Sequence, residues 1–316
     1  MKHVFSLGLL VLLCGCPLPP TICPVLETYD PAADVRRVRS ESPFKLWNPT
    51  TMAEAGKILY VFSSSKAAKK YDLKTGRWSP VATIPEYGTD PRACALGGKI
   101  YLVGDGRLLL YDPAANAWTN LGETPVKFAA FGLTVLDGTI YVVGGSVPGS
   151  ELATMYCFDP AEGRWSRKAD LPGKRSDLVA EALDGKIYAV GGYHRVGEKK
   201  ERRYGDEILV YDPMQDAWTE GPAFPDTFSR WGANYASAAI GGKLYVIVHK
   251  EDTTNVHAFD PDAGSWQTRS TRKILRRTSF GCAPRDGKLF FYGGLSRDYE
   301  TEDIPGSDRK RIVFKP

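Results

Sequence analysis

One phrase recurs six times along this chain of 316 residues and restricts the fold more than any other feature. Its copies are Gly56-Lys57-Ile58-Leu59-Tyr60-Val61, Gly98-Lys99-Ile100-Tyr101-Leu102-Val103, Gly138-Thr139-Ile140-Tyr141-Val142-Val143, Gly185-Lys186-Ile187-Tyr188-Ala189-Val190, Gly242-Lys243-Leu244-Tyr245-Val246-Ile247 and Gly287-Lys288-Leu289-Phe290-Phe291-Tyr292. Their leading glycines stand 42, 40, 47, 57 and 45 residues apart. Three copies run into a double glycine, Gly144-Gly145, Gly191-Gly192 and Gly293-Gly294. The others carry Ser63-Ser64, Gly104-Asp105 and Val248-His249 there. A period of this length marks an architecture made by stacking one supersecondary unit.

A second phrase alternates with the first: an aromatic, an Asp, usually a Pro, then a Trp. It runs Tyr71-Asp72 to Trp78, Tyr111-Asp112-Pro113 to Trp118, Phe158-Asp159-Pro160 to Trp165, Tyr211-Asp212-Pro213 to Trp218 and Phe259-Asp260-Pro261 to Trp266. Each part has a local reason. Asp-Gly or Gly-Gly before the Ile/Val/Tyr run (Asp137-Gly138, Asp184-Gly185, Asp286-Gly287, Gly97-Gly98, Gly241-Gly242) suits a two-residue hairpin whose central residues both take φ > 0. The apolar run reads as a buried strand. Asp-Pro breaks a ladder and opens a turn. The Trp offers a large apolar face to the next unit.

Together the two phrases resemble the kelch repeat, over nearly all of residues 25–316. The resemblance implies an all-β, six-bladed β-propeller of four-stranded antiparallel blades, strands a to d from the channel outward. A lone blade cannot bury both faces; a closed ring can. For closure, Tyr29-Asp30-Pro31 near the N-terminus copies the second phrase, with Arg36 in the place of Trp, and Arg311–Pro316 also resembles a strand c. The better match favours an N-terminus that supplies strands c and d of blade 6, against one that supplies d alone.

Alternating strand direction puts the d-to-a and b-to-c loops on one face of the ring. These loops vary in length and composition, so a site is expected there. Basic residues recur near the entry to strand a: Arg92, Lys127, Arg175, Arg230 and Arg276-Arg277. Kelch propellers that bind acidic peptides use arginines at similar places, and the resemblance implies an arginine-lined channel mouth. The competing reading is that these arginines bridge blades by bonding backbone carbonyls or acidic loop residues. The long b-to-c segment Tyr193 to Glu207 adds His194 and Arg195, and Trp231 stands beside Arg230. An aromatic beside arginine suits a sugar ring or a peptide.

The N-terminus reads as an export signal. Lys2 precedes an apolar segment, Val4–Leu13, too short to span a bilayer. Leu13-Cys14-Gly15-Cys16 resembles a bacterial lipobox, which implies lipid attachment at Cys16; plain secretion is the alternative. The organisation is therefore 1–16 signal, 17–24 Pro-rich linker and 25–316 propeller. The location expected is periplasmic or cell-surface, or secreted. Cys94, Cys157 and Cys282 fall in strands of different repeats and match no zinc spacing, so they read as free apolar residues. No cofactor or metal is implied. A net charge of +4 without a Lys/Arg block gives little support to a nucleic-acid partner.

No nucleophile elbow, zinc-protease helix or phosphate loop occurs. The reading is a non-catalytic, monomeric binding module for a protein, acidic peptide or glycan, touching a membrane only through an N-terminal lipid. The alternative is an exported carbohydrate-active enzyme resembling the sialic-acid epimerases, with Glu181 or Asp177 moving protons. An intracellular BTB–kelch adaptor is disfavoured by the export signal.

Overall fold

The computed structural model describes residues 21–22, 25–42, 50–63, 65–85, 91–197, 201–226, 235–249, 254–271, 280–293, 295–296, 299–303 and 310–314. They form a closed six-bladed propeller. In order a to d, blade 1 is Thr50–Ala55, Ile58–Ser63, Ala68–Asp72 and Arg77–Pro80; blade 2 is Arg92–Leu96, Lys99–Gly104, Arg107–Asp112 and Ala117–Glu123. Blade 3 is Gly132–Leu136, Thr139–Val143, Met155–Asp159 and Arg164–Lys168; blade 4 is Ser176–Leu183, Lys186–Val196, Glu207–Asp212 and Ala217–Ala223. Blade 5 is Tyr235–Ile240, Lys243–His249, Thr254–Asp260 and Ser265–Thr271. Blade 6 joins Gly281–Arg285 and Lys288–Tyr292 to Val25–Asp30 and Val35–Glu41. Strand a of each blade touches strand a of the next, and blade 6 returns to blade 1.

The N-terminus thus gives both c and d to blade 6, Leu26 to Tyr29 pairing with Leu289 to Tyr292. The C-terminal strand Lys310–Phe314 instead makes a hairpin with Tyr299–Asp303. The signal segment and Cys16 lie outside the described residues.

Burial follows the radial order. Strands b are buried on both faces, as in blade 2, where Ile100, Leu102 and Val103 have no exposed surface. Strands d are largely exposed. There is no single core: one apolar cluster fills each of the six seams between blades. That is how a sheet with two apolar faces satisfies both.

The a-to-b turns have the left-handed backbone their sequences demand, for example Asp137 at φ 47° and Gly138 at φ 76°. Blade 1 is shifted by one residue from the sequence alignment. Its turn is Gly56-Lys57, with Lys57 at φ 68°, so Leu59 rather than Ile58 takes the fully buried place of Ile100. The double glycine also has a steric reason. A Cβ on Gly145 would lie 2.8 Å from the Ala129 carbonyl oxygen and 2.9 Å from the Phe131 Cβ, while its N–H reaches the Arg175 carbonyl in blade 4 at 2.8 Å.

The second phrase is an inter-blade fastening. Each aromatic faces its Trp (Arg36 in blade 6) as a cross-strand pair. The Trp packs on the preceding blade, not the next: Trp118 meets Phe62 of blade 1, and Trp78 meets Tyr292 of blade 6. The face that carries the aromatic pair looks back along the ring, which reverses the direction expected from sequence. In blade 2 the Tyr111 hydroxyl donates to Asn116 Oδ1 (2.8 Å), which also accepts the Ala82 N–H (3.0 Å), while Trp118 Nε1 donates to the Ala82 carbonyl (2.9 Å). Blade 4 repeats this with Tyr211, Asp216, Ala169 and Trp218.

The Asp of the phrase accepts backbone N–H groups of its own c-to-d turn in all six blades, as Asp112 does from Ala114 and Ala115. Those bonds hold the Asp112 carboxyl below its ordinary range.

Asn116→Ala should cost roughly 1–2 kcal/mol, because it removes the shared acceptor of two donors at a residue with φ 48°. Tyr111→Phe should cost only about 1 kcal/mol. Urea unfolding measures both; a smaller loss for Asn116→Ala than for Tyr111→Phe would contradict the shared-acceptor account.

Candidate functional site

The loop face is most developed where blade 4 meets blade 3. Strand b of blade 4 runs on past its blade and pairs with Glu201–Tyr204 to raise a two-stranded ribbon. The register is Tyr193 with Tyr204, His194 with Arg203, Arg195 with Arg202 and Val196 with Glu201. Alternation therefore puts Tyr193, Arg195, Arg202 and Tyr204 on one side, and His194, Val196, Glu201 and Arg203 on the other.

The first side is a cationic, aromatic surface. The Arg202 guanidinium lies 4.2 Å from the Tyr193 ring centroid, Arg195 lies 5.6 Å from it, and the Tyr204 ring packs beside it at 5.9 Å. A guanidinium stacked on a ring keeps its N–H groups in its own plane, aimed past the ring. Blade 3 supplies the counterpart through a short hairpin, Ser146–Val147 with Ser150–Glu151. The Glu151 side chain is buried; its carboxylate accepts Arg195 Nη1 at 2.5 Å and the Arg195 N–H at 3.3 Å. The exposed Lys174 reaches Ser150 Oγ at 3.2 Å. Glu151 thus pairs with Arg195, Lys174 stands beside them on Ser150, and Asp177 and the Tyr204 hydroxyl act on Arg202.

Arg175 lies beneath this ribbon and is buried. Its guanidinium donates to the Gly191 carbonyl (3.2 Å) and pairs with Glu207, and Gly205 leaves room for it. Burial lowers its pKa from the ordinary arginine value. Arg175 therefore fastens strands b and c of blade 4 at the ribbon's base. Arg92 lies within strand a of blade 2, with its guanidinium 5.9 Å from the Phe131 ring centroid. Lys127 is exposed, and its methylenes cover Gly106. His194 is half-buried on the far side of the ribbon. Arg230, Trp231 and Arg277 lie outside the described residues.

The structure brings Arg195, His194 and Arg175 to one corner and leaves Arg92 and Lys127 at blades 2 and 3. Sequence reasoning missed Tyr193, Arg202, Tyr204 and Glu151 as site residues. The signal was there for the first three: Tyr-x-Arg before Gly197 and Arg-x-Tyr after it mirror each other, as two strands of a hairpin would.

Of the two acids named beside these, Asp177 stands at the head of strand a of blade 4 with φ 56°, its N–H donating to the Ala130 carbonyl at 2.7 Å. Glu181 lies deeper, where Ser237 Oγ of blade 5 donates to its Oε1 at 2.7 Å. Burial pushes the Glu181 carboxyl up to about 7, and the serine bond opposes the shift. Cys94, Cys157 and Cys282 form no disulfide with one another.

Comparison with known proteins follows the same lines. A family profile described as KLHDC2/KLHL20/DRC7 Kelch-repeats domain matches residues 92–294, more than half of the chain. Kelch-like protein 24 of Rattus norvegicus is 35% identical over 239 residues, 74% of this chain and 38% of that protein. Kelch-like protein 30 of Homo sapiens is 35% identical over 89 residues, 27% of this chain and 15% of that protein. The chain spans well under half the length of these curated relatives. The solved structure titled Structure of YjhT superposes with a TM-score of 0.62 at 14% identity, covering 74% of this chain and 87% of that one, a likeness of fold.

Proposed function

The chain belongs to the kelch-repeat family, and from that premise we propose that it is a non-catalytic interaction module whose loop face binds an acidic segment of a protein partner at the corner of blades 3 and 4. The observation that carries this is the pair of arginines on Tyr193, with Arg202 4.2 Å from the ring centroid and Arg195 turned to Glu151. Guanidinium groups match carboxylates with a planar fork of donors, and the Tyr193 ring sets the Arg202 fork in one plane. Lys174 adds a further cation at the corner, while Arg92 and Lys127 stand apart from it at blades 2 and 3. Arg175 supports the surface from below. Kelch-repeat proteins generally act as protein-interaction modules, which supports a protein partner.

Fluorescence anisotropy with a library of acidic peptides tests the reading. Arg202→Glu should weaken every hit by roughly tenfold or more, with a matching loss of salt dependence. Hits that keep their affinity in Arg202→Glu would refute this placement. Exchange of N-acetylneuraminate anomers seen by NMR would favour the enzymatic alternative instead. Export with a lipid on Cys16 remains part of the proposal, supported by Leu13-Cys14-Gly15-Cys16, and mass spectrometry of the mature N-terminus decides it.

A further inference from the structure

Two insertions on the loop face meet at the corner of blades 3 and 4. In blade 2, strand b passes to strand c through Asp105-Gly106 alone. At the same place blade 3 raises the hairpin of Ser146–Val147 with Ser150–Glu151, and blade 4 raises its ribbon. The hairpin has anchors of its own. Ser146 exchanges N–H and carbonyl with Ala129 at 2.8 and 3.0 Å. The Leu152 N–H reaches the Gly145 carbonyl at 2.8 Å, and the Arg175 N–H reaches the Leu152 carbonyl at 2.9 Å. Backbone bonds therefore hold Glu151 in position without help from the ribbon, and its carboxylate serves another purpose.

Both carboxylate oxygens go to one residue. Oε1 accepts Arg195 Nη1, and Oε2 accepts the Arg195 N–H. The remaining terminal nitrogen, Nη2, stands 3.5 Å from the Tyr193 hydroxyl. The two partners differ in access: the Arg195 side chain is 36% exposed and the Glu151 side chain 7%. A ligand can thus reach the guanidinium, but displacing Glu151 would leave a buried carboxylate and a ribbon N–H without each other. Arg195 and Arg202 also face each other as a cross-strand pair. Two adjacent carboxylates of one ligand would otherwise meet the two guanidinium groups together. With Glu151 in place, the second ligand carboxylate meets a compensated cation and a like charge beside it, and gains little.

We infer that Glu151 is a specificity-determining residue: it acts as an internal competitor that withdraws Arg195 from ligands and restricts the corner to acidic segments whose carboxylates stand singly. The inference rests on the acidic-partner reading above and adds to it the kind of acidic segment that is accepted.

The test uses the whole protein and two fluorescein-labelled decapeptides, one with a single Glu and one with two adjacent Glu in an otherwise Ser/Gly sequence. The parent should bind the two within about threefold of each other. In Glu151→Gln the glutamine oxygen still accepts the Arg195 N–H but no longer compensates the guanidinium. The ratio of affinities, paired over single, should then rise roughly five- to tenfold. Adding Arg195→Gln to Glu151→Gln should return the ratio to its parent value. Phenylglyoxal labelling with peptide mapping needs no partner: Arg195 should react several-fold faster in Glu151→Gln, with Arg202 unchanged. A role confined to holding the ribbon predicts faster labelling of both arginines and equal weakening of both peptides, and that result overturns the inference. Binding that Arg202→Glu leaves intact overturns the partner reading and this inference with it. Binding that depends on Arg202, with an unmoved ratio in Glu151→Gln, overturns the inference alone.

Discussion

A chain lacking residues 21–42 should lose cooperative folding rather than merely soften. The strand Val25–Asp30 buries Val25, Leu26, Glu27, Thr28 and Tyr29 almost completely. Leu26 belongs to the apolar cluster with Met52, Leu59 and Val61 of blade 1, whereas Tyr29 belongs to the cluster with Ala236, Ile247 and Val256 of blade 5. One short segment therefore closes two seams. At roughly 1.5–3 kcal/mol per buried large side chain, Val25, Leu26 and Tyr29 together contribute about 5–8 kcal/mol, comparable with the whole net stability of an ordinary domain. The deletion also strips the ladder partner from Lys288–Tyr292 and exposes an apolar edge.

Tyr29→Ala isolates the seam term. It should cost about 3–5 kcal/mol, since it removes a buried ring together with the hydroxyl that donates to Asp34 at 2.8 Å. Urea unfolding and limited trypsin digestion read both variants. An unchanged midpoint for the truncated chain would show that blade 6 closes in some other way.

What the sequence made legible was local. Asp137-Gly138 and its counterparts specify a two-residue turn by backbone conformation alone, so strands a and b could be placed without knowing their neighbours. The same holds for Asp112 and its equivalents, whose carboxylates accept the N–H groups of the next few residues. What stayed hidden depends on strands brought together from afar. From sequence alone Trp118 is expected to pack on the next blade; the sheet's facing turns it to Phe62 of the preceding one. Arg175 looked like a residue of the channel mouth, but its fate is set by Gly191, Gly205 and Glu207, which arrive later in the chain. Nothing local singles out Arg202, because its contact with Tyr193 exists only once the ribbon has its register. In blade 1 the glycine was aligned one residue late, because Lys57 adopts the conformation that glycine takes elsewhere.

Glu181→Gln should make the protein more stable above neutral pH and leave it unchanged in acid. The Glu181 carboxyl titrates near 7 in the folded chain against an ordinary value of 4.5. Below 4.5 it is protonated in both folded and unfolded states and contributes no pH dependence. Between 4.5 and 7 the unfolded chain has released the proton while the folded chain still holds it. Unfolding then releases a proton, so stability falls as pH rises and levels off above 7. The full shift corresponds to roughly 2–3 kcal/mol after allowance for relaxation around the buried group. Glutamine keeps an acceptor for the Ser237 hydroxyl and never ionises, so its stability curve should lack this slope. Urea midpoints at pH 5 and pH 8 suffice. Equal differences from the parent chain at both pH values would mean that the carboxyl ionises normally, and that the innermost wall of blades 4 and 5 is far wetter than its packing implies.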